Sequence, residues 1–309
     1  WSSDVCSSDL YTVLKAQGHT VRIAAPEADQ SARGGAFFFG REVSVGHDTD
    51  PAYPDSYYIS TSEKGVCQSP ECLGKEVQIE ISGTPVMALL MGLKKVMPNP
   101  DLVIVDTALI AKAPPRFLVA GMGDALATFY EADACRRSGA NNVLGLTGLP
   151  VAYELARFCR DTLFEHGFAA LQECREKTAG PALERIVEAN ILLSGLGFES
   201  GGVAAAHAIH HGLCELHETH GFLHGEKVAR GVLAGLLLQE VPPAVFNEVL
   251  AFCLKIGLPT RLADLGIVEP SLETLQRIAD RACREGEIIH NEPFPVTSQR
   301  VVEVLQRLL

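Results

Sequence analysis

The sequence predicts two kinds of structure in succession: an incomplete α/β piece with a parallel sheet, then an all-α domain. Three observations predict it. Short apolar runs bounded by Gly or Pro dominate the early chain. Apolar stripes at i, i+3/i+4 spacing dominate the later chain. The change of character falls near residue 105, with no repeat and no low-complexity tract on either side.

The first ten residues, WSSDVCSSDL, match no element and sit where a first β-strand is expected. YTVLKAQGHTVRIAAP reads as a helix end running into a buried strand, HTVRIAAP at 19–26. The polar stretch from Gly40 to Cys72 contains Pro51, Pro54 and Pro70 and reads as loop or edge hairpin. GTPVMALLMGLKKVM (83–97) reads as a helix with Pro85 in its first turn. PDLVIV (100–105) reads as a second buried strand. Beyond residue 113, helices are expected over 124–138, 151–177, 181–198, 227–240, 244–257 and 271–286.

The 309 residues suit one large or two modest domains, and 47% hydrophobic content is ample for a core. A net charge of −12 argues against nucleic acid or an anionic membrane as a partner, since both select a basic face. No apolar run reaches spanning length, and no charged n-region precedes an apolar h-region. The nine Cys form no C-x-x-C pair, so reduced thiols in a cytoplasmic protein are expected.

Six of the ten His lie between 207 and 224: His207, His210, His211, His217, His220 and His224. His207 and His211 are four apart, as are His220 and His224, so each pair is expected to share a helix face. Any single imidazole there could cap a helix or face solvent. The cluster, beside Gly201-Gly202 and Ala204 to Ala206, favours a metal site, because small residues let helices approach around an ion. Spacing alone chooses neither the ligating histidines nor a carboxylate.

From DLVIVDTALIAKAPPRFLVAGMGDALATFYEADACRRSGA to the end, the chain resembles the glycerol dehydrogenase family of the iron-containing alcohol dehydrogenase superfamily. The likeness runs through AGMGDALAT, PALERIVEAN, SGLGFESGGVAAAHAIHHG, HGEKVARG and GEIIHN. It implies a dehydroquinate synthase-like helical domain, a soluble homo-oligomer, a glycerol-like polyol substrate and NAD as oxidant. It also implies a zinc ion held by Asp124, His207 and His224. Thr128 stands four residues after Asp124, where iron-using relatives carry a fourth ligand, His; that departure favours zinc. His210, His211, His217 and His220 are then supporting or surface residues. The ligand set would lower the pKa of a substrate hydroxyl, and the alkoxide would pass hydride to NAD.

The cofactor half is missing. GLGFESGG (195–202) and GMGD (121–124) have no strand in front and the wrong spacing for a dinucleotide loop. They read as tight helix packing. No cofactor-binding residue is assigned, and no catalytic one.

LKAQGHTVRIAAPEADQSARGGAFFFG and EVQIEISGTPVMALLMGLKKVMPNPDLVI instead resemble the SurE nucleotidases, the survival-protein E acid phosphatases. That likeness covers roughly 11–104. It implies a divalent metal held by two adjacent Asp, a Ser and an Asn, of which only Ser31 is matched. A lone hydroxyl is a poor divalent site, and an ordinary turn serine explains Ser31 as well. WSSDVCSSDL can be back-translated into a common short-read sequencing adapter. The expected organisation is therefore an adapter-derived segment 1–10, a truncated SurE-like fragment 11–104 and a glycerol dehydrogenase-like domain 105–309. Three readings follow: a polyol dehydrogenase lineage, a SurE-type phosphatase fragment, or an inert chimera.

Overall fold

The structure is a computed structural model; it describes four short strands before residue 105 and every residue from 105 to 309. The chain divides into two compact units, Trp1–Asp106 and Thr107–Leu309. The first contains β1 (Ile23–Pro26), β2 (Ser44–His47), β3 (Ser56–Ser60) and β4 (Gln78–Ile81). They form one sheet in the order β1-β4-β3-β2. β4 pairs in parallel with both β1 and β3, with Gln78 opposite Ile23 on one side and Ser56 on the other. β2 and β3 pair antiparallel at the edge, Ser44 opposite Ser60. The edge hairpin expected between residues 40 and 72 is thus present, and β1 lies inside the strand expected at 19–26. The helix expected at 83–97 and the strand at 100–105 fall outside the described residues, apart from Val105.

The second unit is helical throughout. It comprises α1 (Thr107–Lys112), α2 (Pro115–Ser138), α3 (Pro150–Arg175), α4 (Pro181–Glu188) and α5 (Ser194–Gly201). α6 (Ala205–Leu213), α7 (His224–Leu238), α8 (Pro243–Ile256), α9 (Leu272–Ala282) and α10 (Ser298–Arg307) follow. One device recurs: Pro in the first turn starts α2, α3, α4 and α8, and a left-handed glycine, Gly139 or Gly257, ends α2 and α8. Ser271 and Thr297 cap α9 and α10 by accepting the Thr274 and Arg300 N–H groups.

All six expected helices are present, with two differences. The run at 181–198 is not one helix: a π turn, Ala189–Leu193, separates α4 from α5. His220 and His224 do not share a helix face. His220 follows the 3-10 turn His217–Thr219, and α7 begins only at His224.

Two large apolar clusters, with a small third around Ala134, Cys135 and Ala204, form the core among the described residues. One joins Met122, Leu126, Leu163, Leu183, Leu233 and Phe252. The other joins Ile209, Leu213, Ala234, Ile278, Val301 and Leu305. α7 serves both, and all of it except His224 and Leu237 is buried. Its glycines let neighbouring backbones touch it. A Cβ on Gly225 would collide with the Ala120 carbonyl oxygen of α2, and one on Gly231 with the Ala206 carbonyl oxygen of α6.

Gly225→Ala is therefore expected to destabilise the helical unit by about 3 kcal/mol or more, since backbone cannot give way as a side-chain tip can. Gly195 in α5 faces open space. Gly195→Ala should stay within about 1 kcal/mol of wild type, on the stabilising side, by helix propensity. Thermal unfolding of the two variants followed by circular dichroism checks the contrast.

Candidate metal centre

Three helices each deliver one side chain to a common point. Asp124 comes from the middle of α2, His207 from the first turn of α6 and His224 from the first residue of α7. One ligand atom from each lies within 4.8 Å of the other two. His224 Nε2 is 3.0 Å from Asp124 Oδ1, and His207 Nε2 is 3.4 Å from the same oxygen. Both separations approach the edge of a tetrahedron with metal bonds of about 2 Å, roughly 3.3 Å. The three side chains are each about a fifth exposed, so the point is open to solvent on one side.

The far nitrogens of both rings are engaged. His207 Nδ1 lies 2.5 Å from Glu131 Oε2. His224 Nδ1 lies 3.1 Å from His210 Nε2, which is also 3.4 Å from Cys214 Sγ. His210 is buried and its Nδ1 has no partner. If Nδ1–H is donated to Glu131 and to His210, both Nε2 atoms would be free to bind a cation beside Asp124. One carboxylate oxygen and two imidazole nitrogens so arranged fit a borderline divalent cation.

The electrostatics agree. Burial alone would raise the Asp124 pKa, but the adjacent His224 and His207 hold it far below the ordinary carboxylate range. Burial opposes charge on His207, yet Glu131 and Asp124 outweigh it and push its pKa up to about 10. Burial and the surrounding cationic groups drive His210 well below its ordinary value, so it stays neutral. A cation held by Asp124, His207 and His224 would have to displace the proton His207 holds between two carboxylates.

Of the remaining candidates, His211 pairs with Glu287 at 3.0 Å, and His217 and His220 are exposed. Thr128 is turned away from the site: its hydroxyl is 2.9 Å from the Ser194 hydroxyl. The GMGD and GLGFESGG glycines lie within and at the end of α2 and α5, and all but the open-facing Gly195 sit against close neighbours; a Cβ on Gly197 would lie 2.6 Å from Thr128 Cγ2. Ser31 lies outside the described residues.

The sequence reading missed two buried acids. Glu131 sits seven residues after Asp124, two turns along the same helix, a spacing that could have revealed it. Glu292 comes from beyond α9. It accepts the Ala205 N–H at 3.3 Å and the Gln239 amide at 3.0 Å. No local pattern marks it.

Comparison with known proteins accounts for both units. Residues 7–106 match the family model described as Survival protein SurE. The match takes in the last four residues of the adapter-like segment. Over 208 residues the chain is 57% identical to a glycerol dehydrogenase from Thermotoga maritima, covering 67% of this chain and 57% of that protein. The crystal structure of a probable glycerol dehydrogenase from Sinorhizobium meliloti superposes with a TM-score of 0.66 at 46% identity. It covers 68% of this chain and 59% of its own. An iron-containing alcohol dehydrogenase from Thermococcus thioreducens shares the fold, with a TM-score of 0.51 at 14% identity. The helical unit thus has the fold of the iron-containing alcohol dehydrogenases. Within that class its sequence is similar to the glycerol dehydrogenases, and the chain spans less than two thirds of their length. No described helix is long and apolar enough to cross a membrane.

Burial raises the Glu292 pKa to about 7, from an ordinary 4.5. The folded state therefore binds this proton more tightly than the unfolded chain, and stability falls as pH rises between about 4.5 and 7. Glu292→Gln, which cannot ionise, should stabilise the protein by roughly 2 kcal/mol at pH 8 and leave it unchanged at pH 4. Unfolding temperatures across that range check the sign.

Proposed function

We propose that residues 105–309 are the metal-binding half of a zinc-dependent, NAD-linked polyol dehydrogenase acting on glycerol-like substrates. The observation that carries the reading is the meeting of Asp124, His207 and His224 at one point. Asp124 supplies the charge that makes a dication tolerable there, and the two Nε2 atoms supply neutral donors. Zinc, when bound, would act as a Lewis acid on a substrate hydroxyl. The partly exposed side of the site gives that hydroxyl its approach. Thr128, hydrogen-bonded to Ser194, leaves the ion three protein ligands and an open position.

We further infer that this chain does not turn over. Its sequence before residue 105 holds no Gly-rich phosphate loop after a strand, and SurE-like sequence stands where the relatives' cofactor domain would be. Residues 1–10 are read as adapter-derived, 11–104 as a truncated SurE-like fragment, and the whole as a chimera. The phosphatase alternative has the match over residues 7–106 behind it, but only Ser31 of its ligand set.

The full chain, stripped with chelator and reloaded, should retain one zinc per molecule by elemental analysis. It should yield no NADH absorbance with glycerol and NAD. Asp124→Asn should weaken zinc binding by about 100-fold, one of three ligands contributing roughly 3 of about 10 kcal/mol. Failure to retain zinc would remove the site. Sustained NADH formation would remove the claim of inactivity.

A further inference from the structure

We propose that Glu131 is the positioning residue of this centre: it aims His207 Nε2 at Asp124 and joins α6 to α2 in the same contact. The inference rests on the metal reading above and concerns what makes that site competent.

Glu131 is buried, its side chain 3% exposed, and both oxygens are fully used. Oε1 accepts the N–H groups of Ala204 and His207 at 2.8 and 2.9 Å. Oε2 takes His207 Nδ1 at 2.5 Å. α6 has no capping side chain of its own, because its N-cap is Ala204. An acid from another helix performs that task, and its negative charge suits the positive end of the α6 dipole. The helix that presents Asp124 therefore also sets where α6 begins and how its first histidine is turned.

The choice of an acid matters chemically. A carboxylate accepts from all three donors at once. Its acceptance at Nδ1 fixes the proton there and leaves the Nε2 lone pair free. An amide of the same shape cannot do this. With its oxygen on the backbone N–H groups, its NH2 meets Nδ1 and drives the imidazole proton onto Nε2, the wrong nitrogen. With its oxygen on Nδ1, its NH2 faces two backbone donors. His224 is supported differently, by His210, an imidazole able to donate or accept. The site thus has one fixed arm and one adaptable arm, and Glu131 holds the fixed one.

A competing role for Glu131 is that of a helix cap alone, which would affect stability and not metal binding. The test compares wild type and Glu131→Gln as full chains, by zinc competition against a chromogenic chelator well below either melting temperature. Weakening by about 10- to 100-fold is expected. Equal zinc affinity with a lowered melting temperature would leave Glu131 a cap and overturn the proposal. Should the variant fail to fold, long-range 1H–15N correlation on zinc-loaded wild type decides. A His207 Nδ1 proton shifted far downfield, as a charge-assisted bond to the Glu131 carboxylate makes it, supports the proposal, and one at the position of an imidazole N–H without a carboxylate partner overturns it. Wild type that binds no zinc would instead bring down the metal reading itself, a result separable from affinity unchanged by the variant.

Discussion

The whole arrangement depends on how closely α2 and α6 approach α7. On the α2 side the contact is backbone to backbone: a Cβ on Gly123 would lie 2.5 Å from the Gly225 carbonyl oxygen. Asp124 follows Gly123 and His224 precedes Gly225, so the closest point of that crossing is also where the ligands meet. The α6 side repeats the logic, with Gly231 against Ala206 and His207 next in the chain. Interaxial spacing is set by the side chains at the contact, and their absence brings the helices together. Longer side chains here would move the ligand atoms apart by more than a metal site tolerates.

Close approach brings charge together as well, and the fold has to hold it. Asp124, Glu131 and Glu292 converge on the start of α6, an acid-rich locus inside a protein of net charge −12. Backbone donors absorb part of that charge, since Ala204, Ala205 and His207 all give their N–H groups to carboxylates. His207 absorbs more by keeping a proton. The N-terminus of α7 is organised by Glu226, which accepts the Leu223 N–H at 2.8 Å and grips Arg116 of α2 through both oxygens. Helix starts, and not loops, thus carry two of the three ligands. That makes their positions a consequence of packing.

This division explains what could be read from the sequence. Amphipathic helices such as α3 and α9 announce themselves by period, and α7 by the small and apolar run from Gly231 to Leu238. α6 does not, because only Ile209 and Leu213 stand out among seven residues of Ala, His and Gly, too few to read as a stripe. The π turn at Ala189–Leu193 leaves the hydrophobic pattern intact, so 181–198 looked continuous. The histidine cluster pointed to metal, but equal spacing misled at His220, where a 3-10 turn intervenes. Asp124 emerged only through family likeness, because a carboxylate 83 residues before His207 leaves no local trace. Glu131 was within reach of a two-turn rule, and Glu292 was not.

Among the described residues, every candidate ligand and every group supporting one comes from residues 107–309, as do the members of the apolar clusters. The geometry that could hold a cation is therefore local to the helical unit, whereas hydride transfer would need a second body to hold a dinucleotide. The two capacities separate cleanly when a chain carries only one of the bodies. Stability does not separate as cleanly. Leu144, Leu146 and Leu149 of the loop between α2 and α3, and Val151 in the first turn of α3, are all more than half exposed. Asn142 stiffens that loop by accepting two of its N–H groups and donating to the Ser200 carbonyl. A rigid apolar ridge of this kind costs little in a folded partner's company and invites association without it.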